Sequence, residues 1–141
     1  MKYLLILLSF LLTVGAIPLS AQNKIDDMVD TYYAMGKSTL TSAVERDNKT
    51  KKITKVVKVL DVDKGYVNSF IKAFEEEKSK CASYKQTLNG NEVTTVLTTE
   101  NDKSNRIYML QYNVSTGTYT TMPAFGSPFK VSIVVKFKKS K

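Results

Sequence analysis

Residues 53–81, ITKVVKVLDVDKGYVNSFIKAFEEEKSKC, decide how this chain folds. The two halves of the stretch differ in period. Val56, Val57, Val59, Leu60 and Val62 are β-branched or apolar, interrupted by Lys55, Lys58 and Asp61. Such a run predicts a strand packed on one face and partly covered on the other. After Asp63 the spacing becomes helical. Val67, Phe70, Ile71, Phe74 and Cys81 share one helix face, with Lys72, Glu75, Glu76 and Lys80 opposite. Asp61 or Asp63 is expected to cap the helix start. The glutamates at 75, 76 and 77 read as a solvated face rather than a catalytic carboxylate pair.

Towards the N-terminus, residues 23–37 predict a first helix. Asn23 with Asp26 three residues on resembles a capping box. Ile25, Met28, Val29, Tyr32 and Tyr33 form its expected buried stripe, and Gly36 its stop. Residues 39–46 read as a strand and 47–50 as a polar turn, giving an antiparallel hairpin with the strand that follows. Towards the C-terminus, Asn89-Gly90 separates two β-rich runs and predicts a tight hairpin. In the next strand Tyr108, Leu110 and Tyr112 share one face, and Ile107, Met109 and Gln111 the other. Residues 115–128 show no period. In the last strand Val131, Ile133, Val135 and Phe137 are expected inward, with Val134 breaking the alternation. Lys138, Lys139 and Lys141 then suit a charged tail that protects an edge strand. The expected fold is α+β and two-layered. An antiparallel sheet of five to six strands carries two helices on one face, in the order αββαββββ.

Residues 1–21, MKYLLILLSFLLTVGAIPLSA, have the layout of an export signal. Lys2 supplies the positive start, an apolar core follows, and a small residue precedes the expected cut. The apolar run is short for a membrane span of about 20 residues. A cleaved signal peptide is therefore expected over 1–21, followed by one domain over 22–141, periplasmic or secreted, with no transmembrane segment after cleavage. Cys81 is the sole cysteine, so no internal disulfide is available. It reads as a small core residue, with a reactive or dimer-forming thiol as the alternative.

The 141 residues carry a formal net charge of +8, with 21 basic against 13 acidic side chains. Such a surface favours anionic partners such as lipid headgroups, acidic glycans or nucleic acid, or serves only solubility, and the expected partner is a protein or an anionic envelope component. Nothing points to specific nucleic-acid recognition. The chain contains no histidine, which removes the usual general base near neutral pH and the commonest metal ligand. No glycine-rich phosphate loop and no metal-ligand spacing occurs, so no catalytic residue, cofactor or metal is expected. A carboxylate-only hydrolase would have to draw on Glu45, Asp47, Asp61, Asp63, Glu92 and Glu100, all at expected turns or strand ends. Two sets of residues remain as candidate partner-binding sites. Lys51, Lys52, Lys55 and Lys58 give the first hairpin a basic character, although strict alternation puts Lys55 and Lys58 on opposite faces. Tyr119, Met122 and Phe125 lie in the 115–128 loop, where they form a binding tip or fold back over an open end of the core.

Three segments carry a resemblance: GKSTLTSAVERDNKTKKITKVVKVL (36–60), FIKAFEEE (70–77) and VTTVLTTENDKSNRIYMLQY (93–112). Together with the ending LSAQ of the signal, they resemble a family of small exported proteins of unknown function from Bacteroides-type gut bacteria. The resemblance implies an exported α+β domain and supplies no active-site residues. The expected function is thus non-catalytic binding of a macromolecular or envelope partner. A small secreted enzyme inhibitor acting through the 115–128 loop is the alternative, by analogy of architecture. The oligomeric state is not legible.

Overall fold

The computed structural model describes residues 23–36, 38–63, 65, 67–114 and 128–139. The signal segment and Tyr119, Met122 and Phe125 lie outside these residues. The elements are α1 (Lys24–Ala34), β1 (Ser38–Arg46), β2 (Ile53–Val62), α2 (Asn68–Glu77), β3 (Ser83–Asn89), β4 (Glu92–Glu100), β5 (Ser104–Asn113) and β6 (Phe129–Phe137). The six strands form one antiparallel sheet in the order β1-β2-β6-β5-β4-β3, and the expected α+β architecture is the observed one.

α1 starts on the anticipated capping box. The Asn23 side chain accepts from the Ile25 and Asp26 amides, and the Asp26 carboxylate accepts from the Asn23 amide at 2.9 Å. Three of the free N–H groups at the helix start are satisfied in this way. Gly36 follows the helix at φ +78°, a conformation open to glycine without cost. Ile25 and Val29 are buried and Met28 and Tyr32 partly so, whereas Tyr33 points to solvent, 49% exposed, against expectation.

α2 presents Phe70, Ala73, Phe74 and Glu77 to the interior, at offsets of three, four and seven. Its cap differs from the expected one. Val67 occupies the cap position and makes no side-chain cap bond, while Asp61 belongs to β2 and lies 3.6 Å from Lys130. Glu77 is buried rather than solvated, because its offset from Phe70 returns it to the apolar face; Glu75 and Glu76 are exposed. Cys81 lies beyond the helix end, half-buried against the core.

The register assigns every strand residue to a face. One face carries Leu60 and Val62 of β2, Phe129, Val131, Ile133 and Val135 of β6, Tyr108, Leu110 and Tyr112 of β5, and Val93 and Leu97 of β4. These residues join Ile25, Val29, Phe70, Ala73 and Phe74 in the core. Both helices therefore lie on this face. Tyr32, Phe70 and Phe129 form its aromatic centre, with ring centroids 5.5–5.8 Å apart.

Three expectations fail at the sheet. β6 is not an edge but sits between β2 and β5. The chain crosses from β2 through α2 to the far edge, then returns by successive antiparallel pairings until β6 meets β2. An apolar Val134 on the otherwise polar parity of β6 is consistent with this central place. The Lys138–Lys139 tail consequently guards no edge; β1 and β3 are the edges. Phe137 is 39% exposed, at the last position of β6 beside the β1–β2 turn. The β3–β4 loop is Gly90-Asn91 rather than Asn89-Gly90, since Asn89 still pairs with Glu92. Only Gly90 takes a positive φ, as a turn with glycine first requires.

Candidate functional site

The strand directions collect the basic residues at one end of the sheet. The β1–β2 turn, the end of β6 and the β4–β5 turn all lie there. The turn is built by Asp47, whose carboxylate accepts from the Lys49 amide at 2.8 Å and the Thr50 amide at 3.0 Å. These two bonds hold the Asp47 carboxyl below its usual range. Lys51 takes φ +62°, and its carbonyl accepts from the Arg46 guanidinium at 3.1 Å. The backbone turns tightly and throws the side chains of Lys49, Lys51 and Lys52 outward.

Between this turn and the end of β6 lies a cavity of about 280 Å³. Lys52, Lys138 and Lys139 line it, with Ile53, Thr54 and Phe137, and Asp47 and Thr50 close the turn side. Ile53 and Phe137 are each 39% exposed, so an apolar surface sits among the cations. Lys138 also reaches Glu100 at 2.8 Å, and this contact holds the Glu100 carboxyl below its usual range. The pair is exposed and contributes little to stability.

The four hairpin lysines are only partly brought together. Lys52 lines the cavity and Lys51 stands in the adjacent turn. Lys55 lies on the helix-free face, opposite Lys136. Lys58 lies on the helix face, opposite Ile133, with its ammonium 3.9 Å from Asp30 of α1. Alternation along β2 separates them, as the period of two requires. Phe137, Lys138 and Lys139 complete the site instead. Their part was hidden, because the sequence places them 85 to 87 residues beyond Lys52 and only the β2–β6 pairing joins them.

The opposite end of the sheet is acidic. Asp61, Asp63 and Glu92 line a second cavity of about 290 Å³ with Gln111 and Lys130. Lys130 faces Asp61 at 3.6 Å, and the Gln111 amide donates to Glu92 at 3.3 Å. Glu45, Asp47 and Glu100 belong to the basic end, so the six candidate carboxylates are split between the two ends. The lowered pKa values of Asp47 and Glu100 are the reverse of what a general acid needs. Among the described residues no three His, Cys, Asp or Glu side chains are placed to share a metal ion.

Two further polar clusters lie under the helices. Arg106, 4% exposed, donates to Asp26 at 3.2 Å, and the Tyr108 hydroxyl donates to the same carboxylate at 2.7 Å. Burial, and then the Asp26 charge, raise the Tyr108 phenol above its ordinary range. The cluster ties α1 to β5 and opens on no described cavity. At the other flank, Tyr84 of β3 donates to Glu75 of α2 at 3.2 Å while the Lys78 ammonium sits 4.8 Å above its ring. Partial burial and then Glu75 push the Tyr84 phenol from 10.0 up to about 12. A raised phenol means that the fold favours its neutral form. That stabilisation is complete below pH 10 and is lost as the pH rises from 10 towards 12. In Tyr84→Phe, the alkaline fall of the urea midpoint over this window should be shallower than in the parent; an identical slope would remove Tyr84 from the alkaline transition.

No protein-family model, curated protein or solved structure matches the chain. No helix among the described residues is long and apolar enough to cross a membrane.

Proposed function

We propose that this is an exported, non-catalytic binding domain whose basic end docks on an acidic lipid surface of the envelope. One observation carries the reading: the cavity where Lys52, Lys138 and Lys139 surround the exposed side chains of Ile53 and Phe137. Lysines beside an anionic lipid surface contribute about 1 kcal/mol each. Exposed apolar side chains among them add burial into the headgroup boundary, which a purely soluble polyanion does not offer. Export, expected from residues 1–21, would deliver the domain to such a surface. The acidic Asp61, Asp63 and Glu92 at the far end orient the molecule, since that end is repelled by the same charge.

Flotation with vesicles of phosphatidylglycerol and phosphatidylcholine tests this. The domain should float with the acidic vesicles, be released by salt, and ignore pure phosphatidylcholine. Lys52→Glu combined with Lys139→Glu should weaken binding about 30-fold or more, from roughly 2 kcal/mol of lost attraction. Equal binding to neutral vesicles sinks the proposal. So does binding to soluble polyphosphate that acidic vesicles fail to compete.

A further inference from the structure

Two turns of the same build flank the end of β6. In the β1–β2 turn the Asp47 carboxylate accepts from the amides two and three residues on, those of Lys49 and Thr50. In the β4–β5 turn the Asn101 side-chain oxygen accepts from the Lys103 amide at 2.8 Å and the Ser104 amide at 2.9 Å. Each is an Asx turn with a lysine at its third position. Backbone bonds close both turns. The Lys51 amide donates to the Asp47 carbonyl at 2.9 Å, and the Asn101 amide to the Ser104 carbonyl at 3.0 Å. Lys49 and Lys103 are both exposed. The second turn also adjoins the basic cavity, because the Lys138 amide donates to the Lys103 carbonyl at 2.8 Å.

The sheet order β1-β2-β6-β5-β4 sets the two turns three strand spacings apart, roughly 14 Å. The end of β6, with Phe137, Lys138 and Lys139, stands between them. An ammonium bonds a phosphate oxygen at about 2.7–2.9 Å. One phosphate seated at the cavity therefore cannot serve both turns. We propose that Lys103 is a further docking residue, and that the basic end engages several acidic headgroups at once, one under each turn and one at the cavity. Such docking rests on the lipid-docking reading and narrows it to a packed acidic surface, not a single lipid. The acidic groups nearby do not cancel the two lysines. Asp47 is turned onto its own amides and Glu100 onto Lys138. Asp102 is exposed beside Lys103, but its short side chain stays near the backbone while the four-carbon lysine stem reaches past it. Turns pinned in this way lose little freedom on docking, where a loose loop would lose affinity.

Flotation with vesicles of phosphatidylglycerol and phosphatidylcholine tests this. The chain starting at Gln22 serves, since it holds every core residue from Ile25 to Val135. Lys103→Ala and Lys49→Ala should each weaken binding about 5-fold, the effect of one lysine at an acidic surface. Lys85→Ala removes the same charge elsewhere. Lys85 pairs with Val96, so it stands about 13 Å back from the strand end at Glu100, beyond a Debye length of about 8 Å. That variant should bind as the parent does. Glycerophosphoglycerol, the soluble headgroup alone, should fail to displace the domain at millimolar concentration. A parent that floats but is released by the free headgroup, or that loses nothing in Lys103→Ala, overturns the multiple contact and leaves lipid docking standing. Equal losses in Lys85→Ala and Lys103→Ala overturn it too, since net charge alone would then act. A parent that does not float with the acidic vesicles removes both.

Discussion

Replacing Asp26 by alanine should destabilise the fold by about 3–5 kcal/mol, the cost of breaking a buried ion pair from one side. The Asp26 carboxylate accepts three hydrogen bonds: from Tyr108 at 2.7 Å, from the Asn23 amide at 2.9 Å and from Arg106 at 3.2 Å. Its removal leaves the Arg106 guanidinium buried without a counter-charge and the Tyr108 hydroxyl without its acceptor. Arg106 keeps only a long contact from its Nη1 to the Tyr108 hydroxyl at 3.5 Å, and its Nε already lacks a partner. The same change opens the capping box of α1, which adds about 1 kcal/mol to the loss. The pair itself need not be favourable overall, because desolvation offsets most of its attraction. Asp26→Asn with Arg106→Met should therefore recover most of the loss, since asparagine keeps an oxygen for Tyr108 and Asn23. Urea denaturation measures both variants. A loss under about 1 kcal/mol in Asp26→Ala would mean that Arg106 finds water or another acceptor in solution.

Phe70→Ala should cost about 3–5 kcal/mol, the usual range for deleting a buried aromatic ring. Phe70 is fully buried, with ring centroids 5.7 Å from Tyr32 and 5.5 Å from Phe129. It thus joins α2 to α1 and to the start of β6. Gly65 limits how far this corner can relax. A Cβ built there would run into the Tyr32 hydroxyl and come within 2.7 Å of Val62, so the chain already lies against both. The cavity left by the ring should persist rather than collapse. Phe137→Ala is the matched control. At 39% exposure it should cost under about 1 kcal/mol while weakening lipid docking. Equal losses in the two variants would contradict this placement of the core.

Local signals in the sequence were sufficient where one element supplies the whole answer. Asn23 and Asp26 announce the start of α1, the offsets of Val67, Phe70 and Phe74 give the buried side of α2, and Tyr108, Leu110 and Tyr112 give the core face of β5. What depends on pairing between distant strands was not legible. In residues 129–137 only Val134, apolar on the otherwise polar parity, speaks for a place between β2 and β5, so the charged extension of β6 reads as an edge guard instead of half a cavity. The lysines of β2 look like one cluster in the linear chain, yet the pleat sends Lys55 and Lys58 to opposite faces. Arg106 is the instructive case. It shares parity with Tyr108, Leu110 and Tyr112, and a cation in that company requires a buried acid. Asp26, which also caps α1, is that acid, one residue serving two roles.

Amide chemical shifts followed through a titration with short-chain phosphatidylglycerol test the docking end most directly. Saturable shifts are expected at Lys52, Ile53, Thr54, Phe137, Lys138 and Lys139, weakened by salt, with Asp63 and Glu92 at the far end unmoved. Shifts centred on the acidic cavity or on the helix-free face, or the same shifts with short-chain phosphatidylcholine, would contradict it.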